Sequence, residues 1–226
     1  MSFPLNLNIT FASSFVLKQV SRKESWEPAA ESCFSKYLHL LLLLFLLKNE
    51  QVFTVKAEHK DALESTRRIL ADIQTRQIEA NGDGGFFSAA VPEKTAETFS
   101  FSSFFSQLIQ SNMSIELEKH AMSEVMKANI KWHDSKQSGL CYDVNQVKQF
   151  VENYFEWNQG VFTDGSELDN ICVGLTAILE YLSAEILELS SYHTKGEAMT
   201  LEALRKGISG DPALMALPYT HIFFEE

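Results

Sequence analysis

The sequence predicts an all-α chain made of two consecutive units, each with a short, a long and a short helix. Three observations predict it. Apolar residues make up 45% of the 226 residues, enough to build a core and too many for wholesale disorder. Two long apolar segments, one around Tyr37–Leu47 and one over Leu168–Ser191, each sit among shorter helix-like stretches. No alternating apolar and polar run is long enough to build a sheet, so no strand is expected.

Taken in order, Ser13–Val20 (SSFVLKQV) reads as a short helix. Trp26-Glu27-Pro28 opens the next helix, since proline is tolerated in a first turn. That helix carries the run YLHLLLLLFLL. At 11 residues the run is shorter than the roughly 20 that cross a bilayer, so it reads as a buried core helix with no membrane role. Residues 48–60 are polar and mixed. Asp61–Glu79 has Leu63, Ile69, Leu70 and Ile73 at a loose helical spacing, and Asn81–Gly85 (NGDGG) is a breaker. A helix near Ser102–Gln110 follows, then a strongly amphipathic one over Glu116–Trp132. Asp134–Gly139 (DSKQSG) reads as a linker, which divides the chain into units 1–138 and 139–226.

The second unit repeats the plan. It has a short helix over Val144–Tyr154, a turn-rich loop with Asp164-Gly165, a long helix over Leu168–Ser191 and a last helix over Leu201–Ile208. At about 100° per residue, Leu175, Ile178, Leu179, Leu182, Ile186 and Leu189 share one arc of the long helix. Glu180, Glu185 and Glu188 fall on another, so one face is core and the other an acidic strip.

The net charge is −11, the wrong sign for a nucleic-acid binder. It is unevenly spread. Residues 1–138 hold 15 Lys+Arg against 16 Asp+Glu, and residues 139–226 hold 4 against 14. Three cysteines without a spacing pattern, Cys33, Cys141 and Cys172, argue against a disulfide scaffold and fit a reducing compartment. The opening MSFPLNLNITF lacks the features of a signal peptide, so the sequons at Asn8 and Asn112 are expected to be silent.

The string LTAILEYLSAEILELS (Leu175–Ser190) resembles the long central helix of histone 2A. Gly139–Phe150 (GLCYDVNQVKQF) is similar to that family's first helix, and Met199–Asp211 (MTLEALRKGISGD) to its last. Glu116–Lys136 (ELEKHAMSEVMKANIKWHDSK) resembles the C-terminal helix of histone 2B. Val16–Val20, Ala29–Phe34 and Thr98–Gln110 match its first, second and third helices more weakly. The order, 2B then 2A, is that of fused histone doublets known from some giant viruses. A tandem histone-like domain in a Ras exchange factor has a similar layout.

The resemblance implies two histone folds paired in an intramolecular handshake, with the apolar face of each long helix covered by the other fold. It implies a chromatin structural protein that pairs with histone 3–4 units and packages DNA in nucleosome-like particles. Its location would be the nucleus, or a viral particle or factory for a viral source. It also implies a carboxylate patch that receives arginine anchors of chromatin factors, made here by Glu116, Glu124, Glu180, Glu185, Glu188 and Asp211. Pro212 and Ala213 stand where two further acidic residues would follow. Lys131 aligns with the lysine that receives ubiquitin in histone 2B, although an ordinary solvated lysine is the favoured reading.

The departures bear on DNA. Roughly 30–40 residues near Lys48–Lys94 exceed the usual compact connection between second and third helices. Both basic tails are missing. Gln146 and Gln149 stand where the 2A family has arginine in its first helix, and Ala198 replaces the arginine before the last helix. The loop Gly160–Asp169 is acidic and longer. DNA wrapping by histones relies on arginines in the minor groove and on helix-end contacts to phosphate, so DNA binding is expected to be weak. Helix N-termini are left as anion sites. The alternative is an acidic histone-fold interaction module with little or no DNA binding.

No catalytic constellation, cofactor motif or metal spacing stands out. His120 and Glu124 at i, i+4 could touch one ligand, but no third ligand accompanies them, and they read as a helix surface pair. His133-Asp134 reads as solvated. An enzyme is not expected.

Overall fold

The computed structural model describes residues 26–81, 98–194 and 198–224, and these are mostly helical. The expected helix at Ser13–Val20 and residues 82–85 of the expected breaker lie outside the described residues. Helix α1 is Pro28–Lys48. Pro28 occupies its first position, where no intrahelical N–H is needed, and Lys48 lies in its last turn beside the carbonyl end of the dipole. Every residue from Tyr37 to Leu47 is buried. A helix apolar on all sides needs neighbours on all sides. At roughly 1.5–3 kcal/mol per buried leucine, this burial is what holds α1.

The polar stretch after α1 is folded. Strand β1 (Phe53–Val55) pairs antiparallel with strand β2 (Phe155–Trp157), with Phe53 opposite Trp157 and Val55 opposite Phe155. The sequence predicted no strand. Three residues are too few for alternation to be read, which is why this small sheet escapes a periodicity argument. A 3-10 turn, Ala57–His59, leads into α2 (Lys60–Asn81). The first part of the Lys48–Lys94 excess is therefore regular structure docked on the second half of the chain. Lys56 reinforces the docking, donating from its main-chain N–H to Tyr154 O (3.1 Å) and from Nζ to Glu152 O (2.5 Å).

The remaining helices are α3 (Phe101–Gln110), α4 (Ile115–Ser135), α5 (Val144–Tyr154), α6 (Leu168–Ser191), α7 (Leu201–Ser209) and the short α8 (Pro212–Met215). Helix α4 runs into the expected linker and stops at Lys136, whose φ of 55° is left-handed. Helix α6 is the hub. It packs most extensively on α4, then on α7 and α5, and it meets α1. Two glycines allow close approaches. A side chain at Gly174 would overlap the Phe105 ring of α3, and one at Gly207 would strike Ser190 of α6. Helices α1 and α6 are long and apolar enough to cross a membrane by length and composition, and here both lie largely buried in the core.

The two halves are joined by the same device at both ends. Trp26, just before α1, forms a parallel bridge with Met199, just before α7. Phe162, ahead of α6, forms a parallel bridge with Phe99, just before α3. The hydrogen bonds correspond. Glu27 N–H donates to Met199 O (3.0 Å), and Thr163 N–H donates to Phe99 O (2.7 Å). The caps correspond too. Ser100 and Thr200 each accept from the N–H three residues on, at 3.1 Å in both cases. The loop before each long helix thus pairs with the loop before the other half's short helix.

The last described element is a 3-10 turn, Thr220–Phe223, folded back on α1. Phe223 packs on Tyr37 and Phe34, with ring centroids 5.0 and 6.4 Å apart, and Arg205 Nε donates to Phe223 O. Neither α8 nor this turn was expected, since four residues carry no readable period. Asn112 is buried and donates to Leu108 O at 2.7 Å, so the folded chain leaves no room for a glycan there.

Candidate partner-binding site

The acidic arc of α6 exists only in its second half, because residues 171–179 are buried all round. Glu180 and Glu185 are half-buried and Glu188 is exposed. The three do different things. Glu180 Oε2 accepts from the main-chain N–H groups of Cys141 (2.6 Å) and Tyr142 (2.9 Å), which ties the turn before α5 to α6. Tyr142 then buries its ring and donates its hydroxyl to Ser183 Oγ (2.8 Å). One oxygen of Glu180 is thus engaged inside the fold.

Glu185 belongs to a convergent group centred on Tyr181. Burial pushes the Tyr181 phenol well above its ordinary range. The charge of Glu185, the hydrogen bond Tyr181 donates to it, and the charges of Glu124 and Asp211 push it the same way. Three carboxylates from three elements, α4, α6 and the start of α8, therefore share one neighbourhood. The His120 ring of α4 stacks on Tyr181 at 6.5 Å and 19°.

Each carboxylate is positioned by its own local structure. Asp211 caps α8, its Oδ1 accepting from Ala213 N–H (2.7 Å) and Leu214 N–H (3.0 Å). Glu124 accepts from Lys127 Nζ at 2.7 Å, one turn on. Both side chains are largely exposed, so the pair contributes about 0–1 kcal/mol and leaves the carboxylate open to competition. Glu188 lies one turn beyond Glu185, on neighbouring surface. Glu116 is exposed in the first turn of α4, two turns before Glu124. Of the six candidate residues, the structure brings Glu124, Glu185 and Asp211 together. Glu188 and Glu116 flank them, and Glu180 faces inward.

Tyr181 and His120 are the additions. Tyr181 lies within Leu175–Ser190, and helical spacing pairs His120 only with Glu124. No pattern within either helix says that the two helices meet ring to ring. Lys131 is exposed, and its Nζ lies across the main chain of Gly139, whose φ of 73° is left-handed. Among the described residues no group of three His, Cys, Asp or Glu side chains is placed to hold a metal ion. None of the three cysteines forms a disulfide, and burial raises the pKa of Cys172 strongly.

No family model matches this chain, and no characterised protein does.

The surface away from the Tyr181 group is governed by what meets each helix start. Glu27 Oε2 accepts from Leu201 N–H of α7 (3.2 Å), and Asp164 Oδ2 accepts from Phe101 N–H of α3 (2.7 Å). Asp143 caps α5 and Asp211 caps α8. Acidic residues lie in the first turn of α1 (Glu31), α2 (Asp61), α4 (Glu116, Glu118) and α6 (Asp169). A helix start offers phosphate its free N–H groups and positive partial charge. A carboxylate of the chain thus accepts from the first N–H groups of α3, α5, α7 and α8, while α1, α2, α4 and α6 carry an acidic residue in the first turn. Four of the helix N-termini that sequence alone leaves as anion sites are therefore taken, and the other four are made less attractive to an anion by a nearby negative charge.

Proposed function

We propose that this chain is a histone 2B–2A-like pair in one polypeptide, a chromatin structural protein that pairs with histone 3–4 units and contacts DNA only weakly. The Glu124, Glu185 and Asp211 cluster would receive arginine-bearing chromatin factors, with Glu188 and Glu116 at its edge. The observation that carries this reading is the reciprocal pairing of loops, Trp26 with Met199 and Phe162 with Phe99. A handshake of two like folds requires that reciprocity, and the family strings fall on the helices the reading needs: α4 for the 2B-like half and α6 for the 2A-like half. Reconstitution with histones 3 and 4 on DNA by salt gradient tests it. A nuclease-protected particle containing this chain is the expected outcome, and its absence at every salt concentration ends the proposal.

A second reading, an acidic interaction module with no DNA role, is favoured by the carboxylates at the helix starts and by the −11 charge. A gel shift against duplex DNA at low salt separates the two. Weak, salt-sensitive binding fits the first, since neutralised phosphates release counterions, and none fits the second.

A further inference from the structure

The outer face of α4 carries the main cluster of exposed apolar side chains among the described residues. Ile115 is 72% exposed, Ile130 58% and Met126 36%. At about 100° per residue the three fall within about 60° of one another, with half-buried Met122 beside them. They lie along one face of a helix of 21 residues, about 31 Å long, a face that exposed Lys119 and His133 share. Exposed apolar side chains gathered on one helix face mark a candidate interaction surface.

The geometry points to a second copy of this chain as the occupant, paired α4 to α4 in antiparallel fashion. The charges on the helix argue for it. The chain as a whole is −11, yet from Ile115 to Lys136 four lysines (Lys119, Lys127, Lys131, Lys136) balance four acids (Glu116, Glu118, Glu124, Asp134). This is where two strongly acidic molecules can approach with least repulsion. The distribution is also polar along the axis. Glu116 and Glu118 lie in the first turn, while Lys127, Lys131 and Lys136 lie in the second half. Antiparallel pairing sets the acidic end of each helix against the basic end of the other and opposes the two helix dipoles. Parallel pairing would set like against like.

The register follows from the stripe. An antiparallel pair centred between Met122 and Ser123 puts Ile115 of each copy opposite Ile130 of the other, with Met122 and Met126 near the axis. Glu116 and Lys127 are about three turns apart on the same flank of the stripe, so each copy's Glu116 faces the other's Lys127. Lys127 is two-thirds exposed despite its bond to Glu124, and an ammonium has donors to spare. The face is self-complementary, as a closed twofold contact requires. One helix pair falls below the roughly 1,200 Å² of standard interfaces, so the dimer is weak and forms at micromolar concentrations or above.

Sedimentation equilibrium on the full chain tests this, with circular dichroism to show that each variant keeps its helices. The mass should rise with concentration from 25.6 kDa toward twice that value. Ile130→Glu should keep it at the monomer throughout. Lys127→Glu should weaken association at least tenfold, and adding Glu116→Lys to it should restore association. A chain that stays monomeric at all concentrations overturns the proposal. So does an Ile130→Glu variant that associates like the wild type, or a double variant no better than Lys127→Glu alone.

Discussion

Asp164 shows how a single side chain can join two halves of a molecule. It sits in the acidic loop before α6, accepts from Ser166, and reaches across to the first N–H of α3. Burial alone would raise its pKa. The bonds from Ser166 and Phe101 outweigh that and hold it below its ordinary value. Because its folded pKa is lowered, its contribution is complete above the unfolded value of 3.8 and is lost as pH falls through the folded value. His39 acts in the same direction in a higher window. Burial lowers its pKa from 6.5, against the bond from its Nδ1–H to Ser35 O. The folded chain therefore resists its protonation, and stability declines as pH falls below 6.5. Denaturant melts across pH should show two declines. Asp164→Ala should remove the lower one and cost about 1 kcal/mol at neutral pH, as loss of a helix cap does. His39→Gln should flatten the upper one. The sequence made Asp164 visible as part of an acidic loop but not as a cap, because its partner is 63 residues away.

At the scale of elements, legibility followed length and period. Helix α6 was readable because Leu175, Ile178, Leu179, Leu182 and Ile186 recur at helical spacing, and all five are buried. Helices α1 and α5 were readable from a proline start and from apolar spacing. β1, β2 and α8 were not, because three or four residues carry no period and their pairing depends on distant chain. For the same reason the stretch after α1 read as mere excess. In the structure, Phe53 of β1 sits among Phe104, Phe155 and Trp157, with ring centroids 5.5–6.5 Å away. Phe53→Ala should cost about 3–5 kcal/mol, as such truncations in a core do. Hydrogen exchange should show β1 and β2 opening together while α6 stays protected. Protection of β2 unchanged by the substitution would mean the small sheet is not a cooperative unit. The candidate site was legible in part. Helical spacing put Glu180, Glu185 and Glu188 on one arc, but spacing within a helix cannot say that Glu180 meets a turn at Cys141 while Glu185 meets α4 and α8.

For the molecule as a whole, the reciprocal bridges predict that covalent continuity between the halves is dispensable. A protease site placed at Gln137–Ser138, beyond the end of α4, should yield two fragments that co-elute. Their melting should become concentration-dependent, since the linker sets only an effective concentration. Fragments that part under native conditions would show that the bridges and the α4–α6 packing are insufficient by themselves.

The folding-back of the chain's end onto α1 has a consequence for synthesis. The leucine run is complete at residue 47, but Phe223, which packs on Tyr37 and Phe34, comes 223 − 47 = 176 residues later. At roughly 5–20 residues per second, that is about 9–35 s of translation. For that interval Phe34 and Tyr37, in an intensely apolar helix, lack the ring that packs on them. The nascent first half is therefore a substrate for chaperones that bind extended apolar chain, and its cover builds up as α6, α7 and then the Thr220–Phe223 turn are made.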